Sequence, residues 1–224
     1  MPCSNPMRIG IFGATGPAGS ALALRLASVG YEVLVGSRSQ DRCDRVVSDL
    51  TGQWPDRRLP IVPVLNEQAA EADLVVIATP WEGAATTAHA HSGPLGGKVV
   101  VSMANALVRV GSEFLPLIPP RGSVAAHVQA AVPTARVVAA FHQLPAKELG
   151  QLDRSVESDV LVCGDDRTAV QTTMDMAAKI PGCRPLDAGG LSNATAIEAF
   201  TAVLLQLNVR YKTRVAPRLT GIGS

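Results

Sequence analysis

The segment formed by residues 9–19, Ile-Gly-Ile-Phe-Gly-Ala-Thr-Gly-Pro-Ala-Gly, constrains the fold of this chain more than any other. A short apolar run leads into three glycines, and an apolar pattern of helical period follows over residues 21–29. Gly13 permits a tight turn after a strand, Gly16 leaves room for a phosphate at the backbone, and Gly19 lets the helix pack close to the sheet. The segment therefore predicts a strand, turn and helix that bind a dinucleotide.

The end of the next apolar run indicates which dinucleotide is bound. Ser37 and Arg38 end that run, and Arg38 lies 19 positions after Gly19, near the position that contacts the ribose. A carboxylate there would accept from a ribose 2′-hydroxyl, whereas a hydroxyl and a guanidinium donate to a 2′-phosphate. Arg42, on the following helix, adds a second cation. We therefore expect NADP(H); the alternative is that both arginines are solvated surface residues.

Composition excludes several classes of protein. The chain has 224 residues, is 47% hydrophobic and carries a formal net charge of +1, which gives no overall field for nucleic acid or a membrane surface. No apolar run approaches the length of a membrane span, and residues 1–6 form no apolar signal region. Cys3, Cys43, Cys163 and Cys183 form no Cys-x-x-Cys pair, so a reduced, cytoplasmic setting is expected.

Short apolar runs alternate with helical patterns along most of the chain, which predicts an α/β, Rossmann-like, doubly wound parallel sheet. A weaker run at 61–64 contains Pro63 and suits an edge strand. Helices are predicted at 39–50, 67–72, 81–91 and 167–179, and the stronger strands at 8–12, 32–35, 74–78, 98–102, 136–140 and 160–163.

The last part of the chain has a different pattern. We expect a nucleotide-binding domain over 7–183 and a small, mainly helical C-terminal segment over 184–224 that completes the site. A long helix is predicted at 193–211, with an apolar face that either packs on the sheet or forms a dimer contact. The basic residues near the end are either solvated or contact an anionic ligand or partner. The apolar residues are Ile197, Phe200, Leu204, Leu207 and Tyr211, and the basic ones Arg210, Lys212, Arg214 and Arg218.

Ligands of such sheets bind at the carboxyl ends of the strands, so the segments that follow the strands are expected to form the site. The sheet topology should gather five of them along one edge: 13–19, 37–38, 79–81, 103–105 and 142–145.

Other catalytic patterns are absent from the sequence. Neither tyrosine belongs to a Tyr-x-x-x-Lys pair, and His89 and His91 would diverge on a helix rather than share a metal. Asp165 and Asp166 favour a helix-capping turn over a metal site. His142, at a strand end, suits either ligand contact or a buried structural role. Since a carbonyl reductase needs a proton donor, this scarcity favours hydride transfer between two cofactors, without a catalytic side chain and without a metal.

Motifs spread over the chain, from Met7 to about Leu219, resemble those of NADPH-dependent coenzyme F420 reductases, also called F420:NADP oxidoreductases. The resemblance implies reversible hydride transfer between nicotinamide C4 and deazaflavin C5 in a homodimer. Residues 102–107 differ from the proline-rich segment of archaeal members and are more similar to actinobacterial ones. The motifs lie at 13–19, 35–38, 79–82, 163–166 and 184–189.

The resemblance also implies site residues. Four loop residues would hold the pyrophosphate of NADP(H), and three after the second strand would hold its 2′-phosphate. Others would line the nicotinamide, and a last group would contact coenzyme F420. The pyrophosphate residues are Thr15, Gly16, Pro17 and Ala18, with Gly13 making the turn, and the 2′-phosphate residues are Ser37, Arg38 and Arg42. The nicotinamide residues are Pro80, Ala84, Met103 and Ala146, and Thr79 is a further residue expected to bind a cofactor. The coenzyme F420 residues are His142, Leu144 and Pro145, with Leu191, Ser192 and Asn193 on the far side of the deazaflavin.

Coenzyme F420 carries a phosphodiester and an oligoglutamate tail, which the basic C-terminal residues would be suited to meet. Two alternatives stay open. One is an NADPH-dependent reductase of another acceptor, such as a flavin, a ferric chelate or an imine. The other is a module that senses NADP(H) without catalysis and signals through dimer contacts.

Overall fold

The computed structural model describes residues 7–222. Residues 1–6, which include Cys3 and the start of the chain, and residues 223–224 lie outside the described residues. The strands are β1 (Arg8–Phe12), β2 (Glu32–Ser37), β3 (Ile61–Leu65), β4 (Leu74–Ile77), β5 (Val99–Ser102), β6 (Leu107–Val110), β7 (Glu113–Pro116), β8 (Arg136–Ala139), β9 (Ser158–Gly164) and β10 (Cys183–Asp187).

The helices alternate with these strands. A 3₁₀ turn (Leu191–Asn193) precedes the last of them. The α-helices are α1 (Pro17–Ser28), α2 (Gln40–Gly52), α3 (Asn66–Ala69), α4 (Trp81–Ala90), α5 (Ser92–Leu95), α6 (Val124–Ala131), α7 (Ala146–Leu149), α8 (Arg167–Ala178) and α9 (Ala194–Tyr211).

Eight strands form one sheet in the order β10-β9-β8-β5-β4-β1-β2-β3. The six strands from β8 to β3 are parallel, which confirms the predicted α/β, Rossmann-like class. β3 is one of the two edge strands, as Pro63 predicts. None of the helices within residues 7–222 is long and apolar enough to cross a membrane.

The central strands are buried on both faces, because successive side chains point to opposite sides of the sheet. Val76 of β4 belongs to the core cluster that includes residues of α1, α2 and α8, and Val75 belongs to a second cluster that includes residues of α4 and α6. The apolar runs of the sequence are therefore continuous rather than alternating.

The last two strands depart from the predicted parallel order. β9 pairs with β8 in antiparallel fashion, and β10 runs parallel to β9. At the side of the sheet where the other six strands have their carboxyl ends, β9 and β10 have their amino ends. The carboxyl ends of β9 and β10 lie at the opposite side. A strand's own sequence carries no signal of its direction, which is why the reversal was not predicted.

The strands β6 and β7 and the helix α6 are among the elements that were not predicted. β6 and β7 form a separate hairpin that turns at Gly111, where φ is 60°, and Pro116 ends β7. α6 lies between this hairpin and β8. Most residues of the hairpin are exposed, so its sequence lacks the alternation or run of buried apolar residues that predicts a strand.

The C-terminal part is not separate from the sheet. Position 184, where the small C-terminal segment was expected to begin, lies within β10. α9 packs against β7 and α6. Glu198 of α9 accepts hydrogen bonds from the backbone N–H groups of Val124 (2.8 Å) and Ala125 (3.0 Å) at the start of α6. Burial raises the pKa of Glu198 to about 7, and those two hydrogen bonds oppose the shift.

Candidate functional site

The glycine loop has the geometry of a phosphate cradle. Gly13 has φ of 76°, and its carbonyl accepts from the N–H of Gly16 at 3.0 Å, which closes the turn. A Cβ at Gly19 would lie 2.8 Å from the Gly13 oxygen, so only glycine fits there. Gly16 caps α1 without a side-chain acceptor, and Pro17 begins the helix. The N–H groups of the first turn, together with the positive end of the helix dipole, are therefore available to an anion.

A second group of donors lies at the end of β2. Ser37, Arg38 and Arg42 line the same cleft as the loop, and both arginines are exposed. Ser37 Oγ accepts from the N–H of Ser39 at 3.3 Å. This end of the cleft is suited to bind a phosphate that lies beyond the pyrophosphate.

The ends of β4 and β5 form the floor of the cleft. Thr79 and Pro80 follow β4, and Met103, Ala104 and Asn105 follow β5; all of them line the cleft. Thr79 Oγ1 is buried and has no hydrogen-bond partner within the described chain. An unpaired buried hydroxyl costs free energy, so it indicates a polar partner supplied by a ligand.

The segment after β8 turns sharply into the cleft. Phe141 is buried and has φ of 65°, a strained conformation for a residue with a side chain. This turn places His142, Gln143, Leu144 and Pro145 at the cleft wall.

Two of these side chains have unused polar atoms. His142 is 5% exposed, and neither ring nitrogen has a hydrogen-bond partner among residues 7–222. Burial lowers the pKa of His142 to about 3, so the ring is neutral at neutral pH. Gln143 donates from Nε2 to the carbonyl of Ile197 at 2.8 Å, while its Oε1 stays unpaired. A neutral imidazole and an amide oxygen are thus available to orient a ligand.

Part of the wall comes from α9 and was not predicted. Thr201, Leu204, Leu205 and Asn208 line the cleft. Thr201 Oγ1 donates to Asn105 Oδ1 at 3.2 Å, which connects α9 to the end of β5. The sequence does contain a signal for this: Thr201 interrupts the apolar face of the helix between Ile197 and Leu204, where a polar residue needs a partner.

Two further cations reach the cleft. Lys147 of α7 and Arg214, beyond the end of α9, line it, as does Val215. Among residues 7–222, no aspartate or glutamate lines this cleft, which has a volume of about 970 Å³. This volume is at the upper end of the usual range for ligand sites. Since the charged side chains that line the cleft are all positive, the site favours large anionic ligands.

The structure does not bring every predicted site residue to the cleft. Ala84 is fully buried in the core, and Gly83 and Thr87 on the neighbouring face of α4 line the cleft in its place. Ala146 does line the cleft.

Leu191, Ser192 and Asn193 also lie outside the cleft. They follow β10, and the reversal of β9 and β10 places them at the opposite sheet edge, where Asp165 Oδ1 accepts from the N–H of Leu191 at 2.9 Å. The contact of these three residues with the far side of the deazaflavin was implied by the resemblance alone, and it stays a prediction. The motif at 184–189 lies at the same remote edge.

The remaining candidate groups have structural roles. Asp166 caps α8, since its Oδ1 accepts from the N–H of Ala169 at 2.8 Å. Within residues 7–222, no cluster of three or more metal-ligating side chains is present. Cys43, Cys163 and Cys183 are free thiols, and burial raises the pKa of Cys163 and of Cys183 to about 12, so both thiols stay protonated.

Comparison with known proteins gives a consistent result. Residues 8–106 match the family model described as "NADP oxidoreductase coenzyme F420-dependent". The chain is 36% identical over 213 residues to the F420-dependent NADP reductase of Methanocaldococcus jannaschii, covering 93% of this chain and 95% of that protein. It is 32% identical over 218 residues to the F420-dependent NADP reductase of Methanothermobacter thermautotrophicus, with 94% and 93% covered.

A solved structure from Arthrobacter sp. FB24 shows the same fold. Its TM-score is 0.78 at 24% sequence identity, and the match covers 94% of this chain and all of that one.

Proposed function

This chain belongs to the family of coenzyme F420-dependent NADP oxidoreductases, and from that membership we propose that it catalyses reversible hydride transfer between NADPH and coenzyme F420. The two coenzymes supply the chemistry: a hydride moves between nicotinamide C4 and deazaflavin C5. The protein binds the two rings face to face and keeps water away from them.

The NADP(H) half of the proposal is supported by the order of groups along the cleft. The loop residue Thr15 and the first turn of α1, with Ala18, hold the pyrophosphate, and Arg38 and Arg42 hold the 2′-phosphate. These positions follow β1 and β2, which are neighbours in the sheet. The nicotinamide then lies over the ends of β4 and β5, where Thr79 and Met103 line the cleft.

The coenzyme F420 half lies between the end of β8 and α9. Leu144, Pro145 and Leu205 provide apolar surface for a planar ring, and His142 and Gln143 provide unpaired polar atoms for its edge. Residues 184–224 thus complete the site through α9 and the segment after it.

No side chain is needed to move a proton in the hydride step. Burial lowers the pKa of His142 to about 3, so its ring is neutral at neutral pH. It therefore hydrogen-bonds to the ligand without acting as an acid. Its role is to orient the acceptor ring. The strained turn at Phe141 fixes the position of this imidazole before the ligand binds.

The observation that carries the proposal is one continuous cleft. One end has hydrogen-bond donors for NADP(H), and the other end has an apolar wall that also carries polar atoms without hydrogen-bond partners. The test mixes the protein with NADPH and oxidised coenzyme F420 and follows the loss of deazaflavin absorbance. A flavin, a ferric chelate and an imine are the parallel acceptors. Turnover with one of these alone would reassign the acceptor, and tight NADPH binding without any turnover would favour a sensor.

We further propose that the chain forms a homodimer through the outer face of α9. Phe200, Val203 and Tyr211 recur at helical spacing there and are 37%, 50% and 67% exposed. An apolar stripe of this kind is unusual on a monomer. Light scattering should give twice the chain mass for the wild type, and Val203→Glu should shift it to one chain mass; a monomeric wild type contradicts the proposal.

The proposed location is the cytoplasm. The free, protonated thiols and the use of NADPH support it.

A further inference from the structure

The segment after α9 forms a strap, residues 212–222, that returns along the carboxyl edge of the sheet. Lys212 ends α9 in the left-handed conformation, with φ of 49°, which reverses the chain. The side chain of Asn208, on the last turns of α9, then accepts from the N–H of Val215 at 2.6 Å. Arg214 and Val215 are thereby held in the wall of the cleft.

The far end of the strap is fastened to a buried carboxylate. Asp159, near the start of β9, is fully buried and accepts from Arg184 Nε at 2.9 Å and from the N–H of Leu219 at 2.6 Å. Its own N–H donates to the carbonyl of Pro217 at 2.8 Å. Arg218 Nη1 approaches the same carboxylate at 3.4 Å. The strap is therefore fixed on both sides of Arg214, so its backbone has little freedom there.

Of the four basic residues between positions 210 and 218, Arg214 alone lines the cleft. Arg210 and Lys212 are exposed outside it, and Arg218 pairs with Glu157 and Asp159. Arg214 Nη1 lies 3.3 Å from Glu148 Oε1, and both side chains are partly exposed. An exposed pair of this kind is weak, so the guanidinium keeps donors for a second anion.

Arg214 lies far from the groups assigned to the phosphates of NADP(H). Its partner Glu148 follows β8, whereas Arg38 and Arg42 follow β2, four strands away in the sheet. Four strand spacings amount to about 19 Å. A cation at this distance, next to the apolar wall formed with Leu205, is suited to a second anionic ligand.

We propose that Arg214, positioned by the strap and its anchor Asp159, binds the phosphodiester of coenzyme F420; this inference rests on the proposed function. The phosphodiester directly follows the ribityl chain and is therefore the anion nearest the deazaflavin ring. A guanidinium donates to two phosphate oxygens at once, which selects a coenzyme that carries the phosphodiester over the bare ring system.

The test compares two acceptors that share one ring. Coenzyme F420 and the deazaflavin that ends at its ribityl hydroxyl, without phosphate, are titrated into Arg214→Gln and into the matched control Arg210→Gln. Binding is followed by deazaflavin fluorescence, and turnover by absorbance. Arg214→Gln should raise the dissociation constant and KM for coenzyme F420 about fivefold to tenfold and leave those for the phosphate-free deazaflavin and NADPH unchanged. Arg210→Gln should change none of them.

Each other outcome has a defined meaning. An equal loss for both acceptors, or a loss confined to NADPH, overturns the role of Arg214. A loss that increases with the number of glutamates in the tail overturns the assignment to the phosphodiester. Absence of turnover with either acceptor, in a folded wild-type protein, refutes the proposed function instead.

Discussion

The guanidinium of Arg25 donates from Nε to the backbone carbonyl of Leu149 at 2.8 Å, and this bond joins α1 to α7. The same guanidinium, 1% exposed, also donates to the carbonyls of Glu148, Gln151 and Arg154. One side chain thus satisfies four carbonyls of the segment that leads away from the cleft.

Replacing this side chain should destabilise the protein strongly. Arg25→Leu keeps the apolar stem but leaves the four carbonyls without a donor, and we expect a loss of about 3 kcal/mol, or roughly 5–15 °C in the melting temperature. Arg8→Leu is the control, because Arg8 is exposed and reaches a single carbonyl, of Glu71, at 3.3 Å. Thermal unfolding of both variants checks this; equal shifts would contradict it.

Arg38 should determine the preference for NADPH over NADH. Arg38→Glu places a carboxylate where the 2′-phosphate is proposed to bind, so KM for NADPH should rise about a hundredfold, whereas KM for NADH should stay within about twofold. The control is Arg45→Glu, which makes the same charge change on α2 outside the cleft. Steady-state kinetics with both nucleotides give the answer, and an equal loss for both would mean that Arg38 does not contact the phosphate.

His142 should give the ligand-free protein a measurable dependence of stability on pH. Its folded pKa of about 3 lies below the usual 6.5, so the unfolded state binds more protons between those values. The contribution of His142 to the free energy of unfolding is complete above pH 6.5 and is lost as the pH falls toward 3. Between pH 7 and 4.5, the wild type should therefore lose about 2 kcal/mol more than His142→Asn. Urea unfolding at both pH values measures this difference.

The same residue should leave the rate unaffected by pH. Because the ring stays neutral, kcat between pH 5 and 8 should show no inflection that disappears in His142→Asn. An inflection lost in that variant would show that His142 does exchange a proton during turnover.

Asp159 should act as a positioning residue. Asp159→Asn turns an amide N–H₂ toward Arg184 or Leu219, and we expect a loss of about 3 kcal/mol together with a higher KM for coenzyme F420 at unchanged KM for NADPH. The hydrogen bond from Arg184 holds the pKa of Asp159 below its usual value. The stabilisation that the ionised Asp159 carboxylate contributes to the folded state is therefore present above about pH 4 and is lost in acid.

Glu157→Gln is the matched control for Asp159→Asn. Glu157 is 65% exposed and contacts Arg218 at 3.4 Å, so its loss should cost less than about 0.5 kcal/mol. Chemical unfolding and paired KM measurements test both variants. An Asp159→Asn protein that loses stability but keeps its KM for coenzyme F420 would have a structural anchor only.

The sequence predicted the parts of the site that depend on local chemistry. The turn at Gly13 and the donors at Ser37 and Arg38 follow from spacing, because a strand, a turn and a helix fix their positions relative to one another. Thr201 was not predicted as a wall residue, and Arg214 was predicted only as one of four basic residues suited to the anionic part of coenzyme F420. Both reach the cleft through packing between distant parts of the chain. Leu191 lies away from the cleft because β9 and β10 are reversed, and strand direction is decided by tertiary pairing.

The reversal of β9 and β10 separates two parts of the surface that would otherwise share one edge. Their amino ends anchor the strap beside the cleft, while their carboxyl ends, with Asp166 and Gly190, lie on the far side of the sheet. Loops on that far side should be able to change in length, or carry a fused reporter domain, without entering the cleft. That side of the molecule is the place to attach a tag or an electrode linker.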